Sequence, residues 1–184
     1  MRQPIRHLRQ PGPTQYPRRL SASGAVAADL RLVLAPGSDL LSEIVERLGA
    51  IEIRHGAITI LSGTLDELSY LTGQPDHSGH RVATYGAPTK LIGPVTLLGG
   101  NGILGLDQQG QALLHCHAIF ADAKGRLHGG HLPPGACRIG SGGAVALVSA
   151  FDGAGFVVKP DPETNFSIFH PHLLSNPETK ESIS

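Results

Sequence analysis

The sequence predicts an α+β domain: a mostly antiparallel sheet of about seven strands with one main helix. Three observations carry that expectation. Only residues 39–48 place apolar side chains at helical spacing. Elsewhere the apolar runs are short, partly alternating and closely spaced, with 24 glycines and 14 prolines among them. The intervals are also too short for repeated helical crossovers, which excludes a doubly wound parallel sheet. A chain of 184 residues, 40% of them hydrophobic, has material for one domain, and with no Trp its core must be aliphatic.

The first strand falls at 26–35, where Val26-Ala-Ala-Asp-Leu-Arg-Leu-Val-Leu-Ala35 partly alternates before Pro36-Gly37 breaks it. Ser38 is the expected N-cap of the helix 39–48, and Gly49 its stop. Leu40, Leu41, Ile44, Val45 and Leu48 form one apolar stripe on it. Strands follow at 57–61 and 65–71, then a polar loop at 72–80 and strands at 82–85, 95–98, 113–121, 144–149 and 166–169. Gly99-Gly-Asn-Gly-Ile-Leu-Gly105 resembles a phosphate loop but lacks Gly-Lys-Ser/Thr and a following helix, so it is expected to be a turn. Pro171, between His170 and His172, argues against regular pairing there.

Charge is balanced overall at fifteen basic and fifteen acidic residues, but unevenly placed. Residues 1–20 hold Arg2, Arg6, Arg9, Arg18 and Arg19 and no acid, leaving ten basic against fifteen acidic residues in the body. Residues 1–18, with Pro4, Pro11, Pro13 and Pro17, are expected to form a mobile basic arm, 19–171 the domain and 172–184 a flexible tail. Only the arm has the sign to attract a phosphate backbone. No apolar run approaches a membrane span, and no apolar stretch follows the N-terminal arginines as in a secretory signal. Cys116 and Cys137 are too few for a disulfide scaffold, so free thiols in a reducing cytoplasm are expected.

The chemistry concentrates in three histidines. His115 and His117 lie in Ala112-Leu-Leu-His-Cys-His-Ala-Ile-Phe120, and His131 in Leu127-His-Gly-Gly-His131. Residues two apart on a strand share a face, roughly 6.5–7 Å apart. The intervening Ala121-Asp-Ala-Lys-Gly-Arg126 is a turn signal, and a hairpin there returns His131 toward the pair. Three imidazoles from two strands can hold Zn²⁺ or a similar divalent ion with one coordination position open. The plainer alternative is strand histidines hydrogen-bonded to neighbours. Cys116, between them, must face the other side of the sheet and belong to the core. His77 and His80 read as exposed loop residues, and neither Ser62 nor Ser141 lies in a Gly-x-Ser-x-Gly nucleophile motif.

The stretch Gly110–Gly135, with its His-Cys-His strand, glycine turn and Gly-Gly-His-Leu, resembles the PPC (plants and prokaryotes conserved) domain. Lys159-Pro-Asp-Pro-Glu-Thr-Asn165 is similar to that family's Asp-x-Glu-Thr-Gly strand entry, with Asn165 in place of the glycine. The resemblance covers roughly 19–171 and implies a homotrimer, a Gly-Asn element that brings Asn101 near the histidine pocket, and an association with DNA. The Arg-Gly-Arg-Pro-like AT-hook that carries DNA binding in plant relatives is missing here, so any contact would fall to the arm. Asp122 and Glu163 are candidates to orient an imidazole or act as a general base. Where the family commonly has an acidic residue, this chain has Gly142-Gly-Ala-Val145. Two functional readings remain: a trimeric metal-site protein with a regulatory or DNA-associated role, or a small metal-dependent hydrolase or lyase acting on a small molecule.

Overall fold

The structure is a computed structural model that describes residues 9–17 and 19–174. Its elements in chain order are β1 (Ala25–Leu34), α1 (Leu40–Gly49), β2 (Gly56–Tyr70), β3 (Gly73–Pro75), β4 (Ala83–Tyr85), β5 (Thr89–Leu106), β6 (Ala112–Ala121), β7 (Leu127–Leu132), β8 (Cys137–Asp152), β9 (Ala154–Asp161) and β10 (Phe166–Leu173). The main sheet runs β1-β8-β2-β5-β6-β7, all antiparallel. The β9–β10 ribbon joins it through a single parallel pairing, Leu106 with Val157. β3 and β4 pair separately. The α+β class with one helix is as expected.

Alternation gives the sheet two different faces. Inward lie Ile58, Ile60, Leu97, Leu104, Leu114, Cys116, Ala118, Phe120, Ala146 and Val148, packed with Leu40, Leu41, Ile44 and Leu48 of α1 into one core. Outward, the strand registers line up Arg31, Leu147, Thr59, Asn101, His117 and His131 in one row across six strands. Val33, Leu61, Ile119 and Leu147 are exposed apolar side chains on this outer face.

Several local expectations are corrected. Asp39, not Ser38, caps α1, accepting the Ser42 amide at 3.0 Å. Its carboxylate also accepts the Cys137 amide at 2.9 Å, so one side chain starts the helix and ties it to β8. Ser38 bonds instead to the Ala35 carbonyl and the Glu43 carboxylate. Gly49 is the last helical residue, and the Ala50 amide closes the helix on the Glu46 carbonyl at 2.9 Å. The strands expected at 57–61 and 65–71 are one strand, β2, broken in register by bulges. The loop expected at 72–80 contains β3, and β9 was not anticipated. Residues 99–105 belong to the C-terminal half of β5, not to a turn. Gly102 is there because a Cβ would sit 2.8 Å from the Leu114 Cδ1 of β6. β10 continues through Pro171, opposite Phe156, because it pairs only with β9 and a proline is tolerated at such an edge.

β10 also takes in His172 and Leu173, past the expected start of the tail. Part of the expected arm is attached: the Gly12 amide bonds to the Glu163 carbonyl at 3.0 Å and the Gln15 amide to Glu163 Oε2 at 2.8 Å. Arg9 and Arg19 are exposed, whereas Arg2, Arg6, Arg18 and residues 175–184 lie outside the described residues. Among the described residues no helix is long and apolar enough to cross a membrane.

Candidate metal centre

β6 alternates buried Leu114, Cys116, Ala118 and Phe120 with outward Leu113, His115, His117 and Ile119. That alternation fixes His115 and His117 on one face and turns Cys116 into the core, where burial pushes its thiol up to about 12. Both cysteines are buried and free. The β6–β7 hairpin closes where expected, with Gly125 at φ +74 and the Gly125 amide on the Asp122 carbonyl at 2.8 Å. Its register sets His131 directly opposite His117.

A second device fixes His131. Its amide and carbonyl exchange bonds with Leu71, both at 2.9 Å, which pins β7 to the end of β2. Gly130 permits this approach, since a Cβ there would lie 2.4 Å from the Leu71 carbonyl oxygen.

The three rings converge. One ligating atom from each of His115, His117 and His131 lies within 4.8 Å of the others. His115 Nε2 and His117 Nε2 are 3.0 Å apart. Two imidazoles bound tetrahedrally to Zn²⁺ at their usual lengths would place their nitrogens about 3.3 Å apart, so small adjustments bring the pair onto one ion. His131 Nδ1 is buried without a hydrogen-bond partner, an arrangement that costs stability unless something else meets the ring. The residues therefore fit a divalent metal with a preference for nitrogen. Zn²⁺ and its first-row neighbours suit such a set, while Mg²⁺ and Ca²⁺ prefer oxygen.

Electrostatics favours the neutral rings that a metal needs. Burial, then the His131 and His117 rings, lower His115 to about 4. Burial and the His117 ring also lower His131, with the Cys116 carbonyl working the other way.

The site opens into a cavity of about 580 Å³. His115, His131 and Leu113 form its floor, Ala83, Thr84 and Tyr85 one side, and Val158, Phe166, Ser167, Ile168 and Phe169 the other. Tyr85 stacks on His131 with centroids 5.0 Å apart and planes 19° from parallel. Burial pushes its hydroxyl up, so it can donate a hydrogen bond but is a poor base. Arg81 locks the β3–β4 segment to β10: its guanidinium lies 4.5 Å over the Phe166 ring and donates to the Asn165 carbonyl at 2.9 Å.

The remaining candidates are placed as follows. Asn101 sits across from His117 and lines with it a shallower cavity on the outer sheet face. Asp122 lies at the hairpin turn and does not hold a metal-site imidazole. It accepts from the Lys124 and Arg126 amides and the Arg126 side chain, and meets His128 Nε2 at 3.2 Å. Burial opposes its ionisation, but the Arg126 contacts outweigh it and hold the carboxyl well below the usual range. His128 passes the chain of contacts on to the Tyr70 hydroxyl at 3.1 Å. Glu163 lies at the β9–β10 turn, against the N-terminal segment. His77 and His80 are exposed. Sequence reading missed Tyr85 and the β9–β10 wall. Tyr85 ends a strand of three residues, and no pattern in the sequence signals its contact with His131.

The family model of the Plants and Prokaryotes Conserved (PCC) domain matches residues 21–150. No curated protein matches the chain. Among solved structures, the chain resembles the metal-containing protein AF0104 from Archaeoglobus fulgidus at 19% identity and a TM-score of 0.67, over 80% of this chain and 96% of that one. A plant- and prokaryote-conserved protein from Pyrococcus horikoshii aligns at 19% identity and a TM-score of 0.64, over 85% and 100%. A "Putative DNA-binding protein" from Ralstonia eutropha aligns at 18% identity and a TM-score of 0.61, over 76% and 88%. At these identities the likeness concerns the fold.

Proposed function

The chain belongs to the Plants and Prokaryotes Conserved domain family, and from that premise we propose that it is a homotrimeric metal-binding protein whose centre is His115, His117 and His131. The observation that carries the reading is the convergence of three imidazoles from one hairpin. Zinc is the ion we assign, on donor type. A relative of the same fold is named as metal-containing, which supports a metal here. The exposed Val33, Leu61, Ile119 and Leu147 on the outer face supply apolar surface for subunit contact. The role is regulatory, through binding; contact with DNA rests on the relatives' name and on the arginine arm, because the body is acidic.

A second reading, a metal-dependent hydrolase or lyase, is favoured by the cavity beside His115 and His131. A bound ion would supply Lewis acidity or a water of lowered proton affinity. The chain's own residues would position a substrate there, Tyr85 by stacking and by its hydroxyl. Among the described residues no Asp or Glu lines the cavity to serve as a base, so we place binding ahead of catalysis.

Metal analysis of purified protein after dialysis tests the centre. One equivalent per chain is expected in the native protein, and none above background in His115→Ala, His117→Ala or His131→Ala. A metal-free native protein that takes up neither Zn²⁺ nor Co²⁺ would remove the reading.

A further inference from the structure

Resting on the His₃ reading, we propose that the cavity beside the metal centre takes a small apolar monocarboxylate, with its anionic head at the ion and its hydrocarbon body between Tyr85 and the β9–β10 ribbon. Charge decides the head. A divalent ion held by three neutral imidazoles keeps its full charge of two, and among the described residues lining the cavity none is Asp, Glu, Lys or Arg. A ligand anion would neutralise it in place of a bound hydroxide, and a carboxylate oxygen is an ordinary fourth donor for such an ion.

The walls decide the body. Leu113, Val158, Phe166, Ile168 and Phe169 present hydrocarbon, and Tyr85 presents a ring already oriented by its stacking on His131. Besides the two histidines and the Tyr85 hydroxyl, the polar side chains in the lining are Thr84 and Ser167, both uncharged. A volume of about 580 Å³ lies within the range of single small-molecule sites, and far exceeds what a metal-bound water or acetate needs. A charged or strongly polar tail would lose its hydration on these walls without a compensating partner. The aromatic side chains at both walls favour an aryl body over a plain chain.

The test uses the full chain loaded with Zn²⁺ and isothermal titration with phenylacetate, acetate and toluene. Phenylacetate should bind at least about tenfold tighter than acetate, from the hydrocarbon it buries, and toluene should bind more weakly than phenylacetate. Ile168→Asp, at a cavity wall residue that is only partly buried, should remove that preference while the protein still holds one Zn²⁺ by metal analysis. In Co²⁺-loaded protein, phenylacetate should perturb the visible spectrum, which places the head on the ion. Equal affinity for phenylacetate and acetate in zinc-loaded protein overturns the proposal and leaves the metal centre standing. Toluene binding as tightly as phenylacetate, or a cobalt spectrum unmoved by saturating phenylacetate, overturns the assignment of the anionic head. Failure to load either metal overturns the His₃ reading itself, and the proposal with it.

Discussion

Acid should unfold the metal-free protein through His115 in particular. Burial and two neighbouring imidazoles lower this ring from 6.5 to about 4. Between those values the unfolded chain binds the proton and the folded chain does not, so stability rises with pH across that window. It is fully present above 6.5 and is lost as pH falls toward 4. If the whole difference acted on folding, the loss at about pH 5 would be about 2 kcal/mol. The ring is half-buried, and solvent screening leaves about 1 kcal/mol. The assay is urea denaturation with chelator present, at about pH 7.5 and about pH 5, for the native protein and His115→Gln at one protein concentration. General acid effects cancel in the difference between the two proteins. The native protein should lose about 1 kcal/mol more than the variant on going to pH 5. A difference that is the same at both pH values, or that moves in favour of the native protein in acid, would refute the reasoning.

Further outcomes follow from other parts of the molecule. Gly130→Ala should destabilise by about 1–3 kcal/mol, because its Cβ would press on the Leu71 carbonyl; denaturation midpoints check it, and metal affinity should fall as His131 shifts. Light scattering should give about three times the 19.3 kDa chain mass, and a monomer at micromolar concentration would remove the trimer. Any DNA binding should be weak and sequence-tolerant, with a slope of log K against log salt no steeper than about −4 to −5 per arm, as five arginines allow. Deleting residues 1–18 should abolish gel retardation, and salt-insensitive binding by the truncated protein would show a second surface at work.

The three-histidine cluster was legible because its convergence is local. A two-residue spacing, a glycine turn and a hairpin register are all read from seventeen consecutive residues, 115–131. The helix was legible from its stripe, though not its cap: Ser38 and Asp39 are both good caps, and the choice was made by Cys137, 98 residues away, which also bonds to Asp39. The glycines of 99–105 misled for the same reason. Locally they signal a turn, whereas here Gly102 makes room for Leu114 of the neighbouring strand. Asp122, a candidate on family pattern, lies at the hairpin turn against His128, a placement set by the strand pairing. The cavity depends on segments around 85, 113 and 166 meeting, and no periodicity encodes that.

The single pairing between Leu106 and Val157 has a bearing on how the molecule breathes. β9 and β10 share eight register pairs with each other, and their further ties to the body include the Phe156 amide on His55 and Arg81 on Asn165. The histidines, in contrast, sit on strands laced into the sheet from both sides or pinned at Leu71. The ribbon and the floor of the cavity thus belong to cooperative units of unequal depth, and the ribbon can open while the floor stays shut. Amide exchange should be faster along 154–173 than along 113–120. Such an arrangement would let one wall reshape itself while the three imidazoles keep their places.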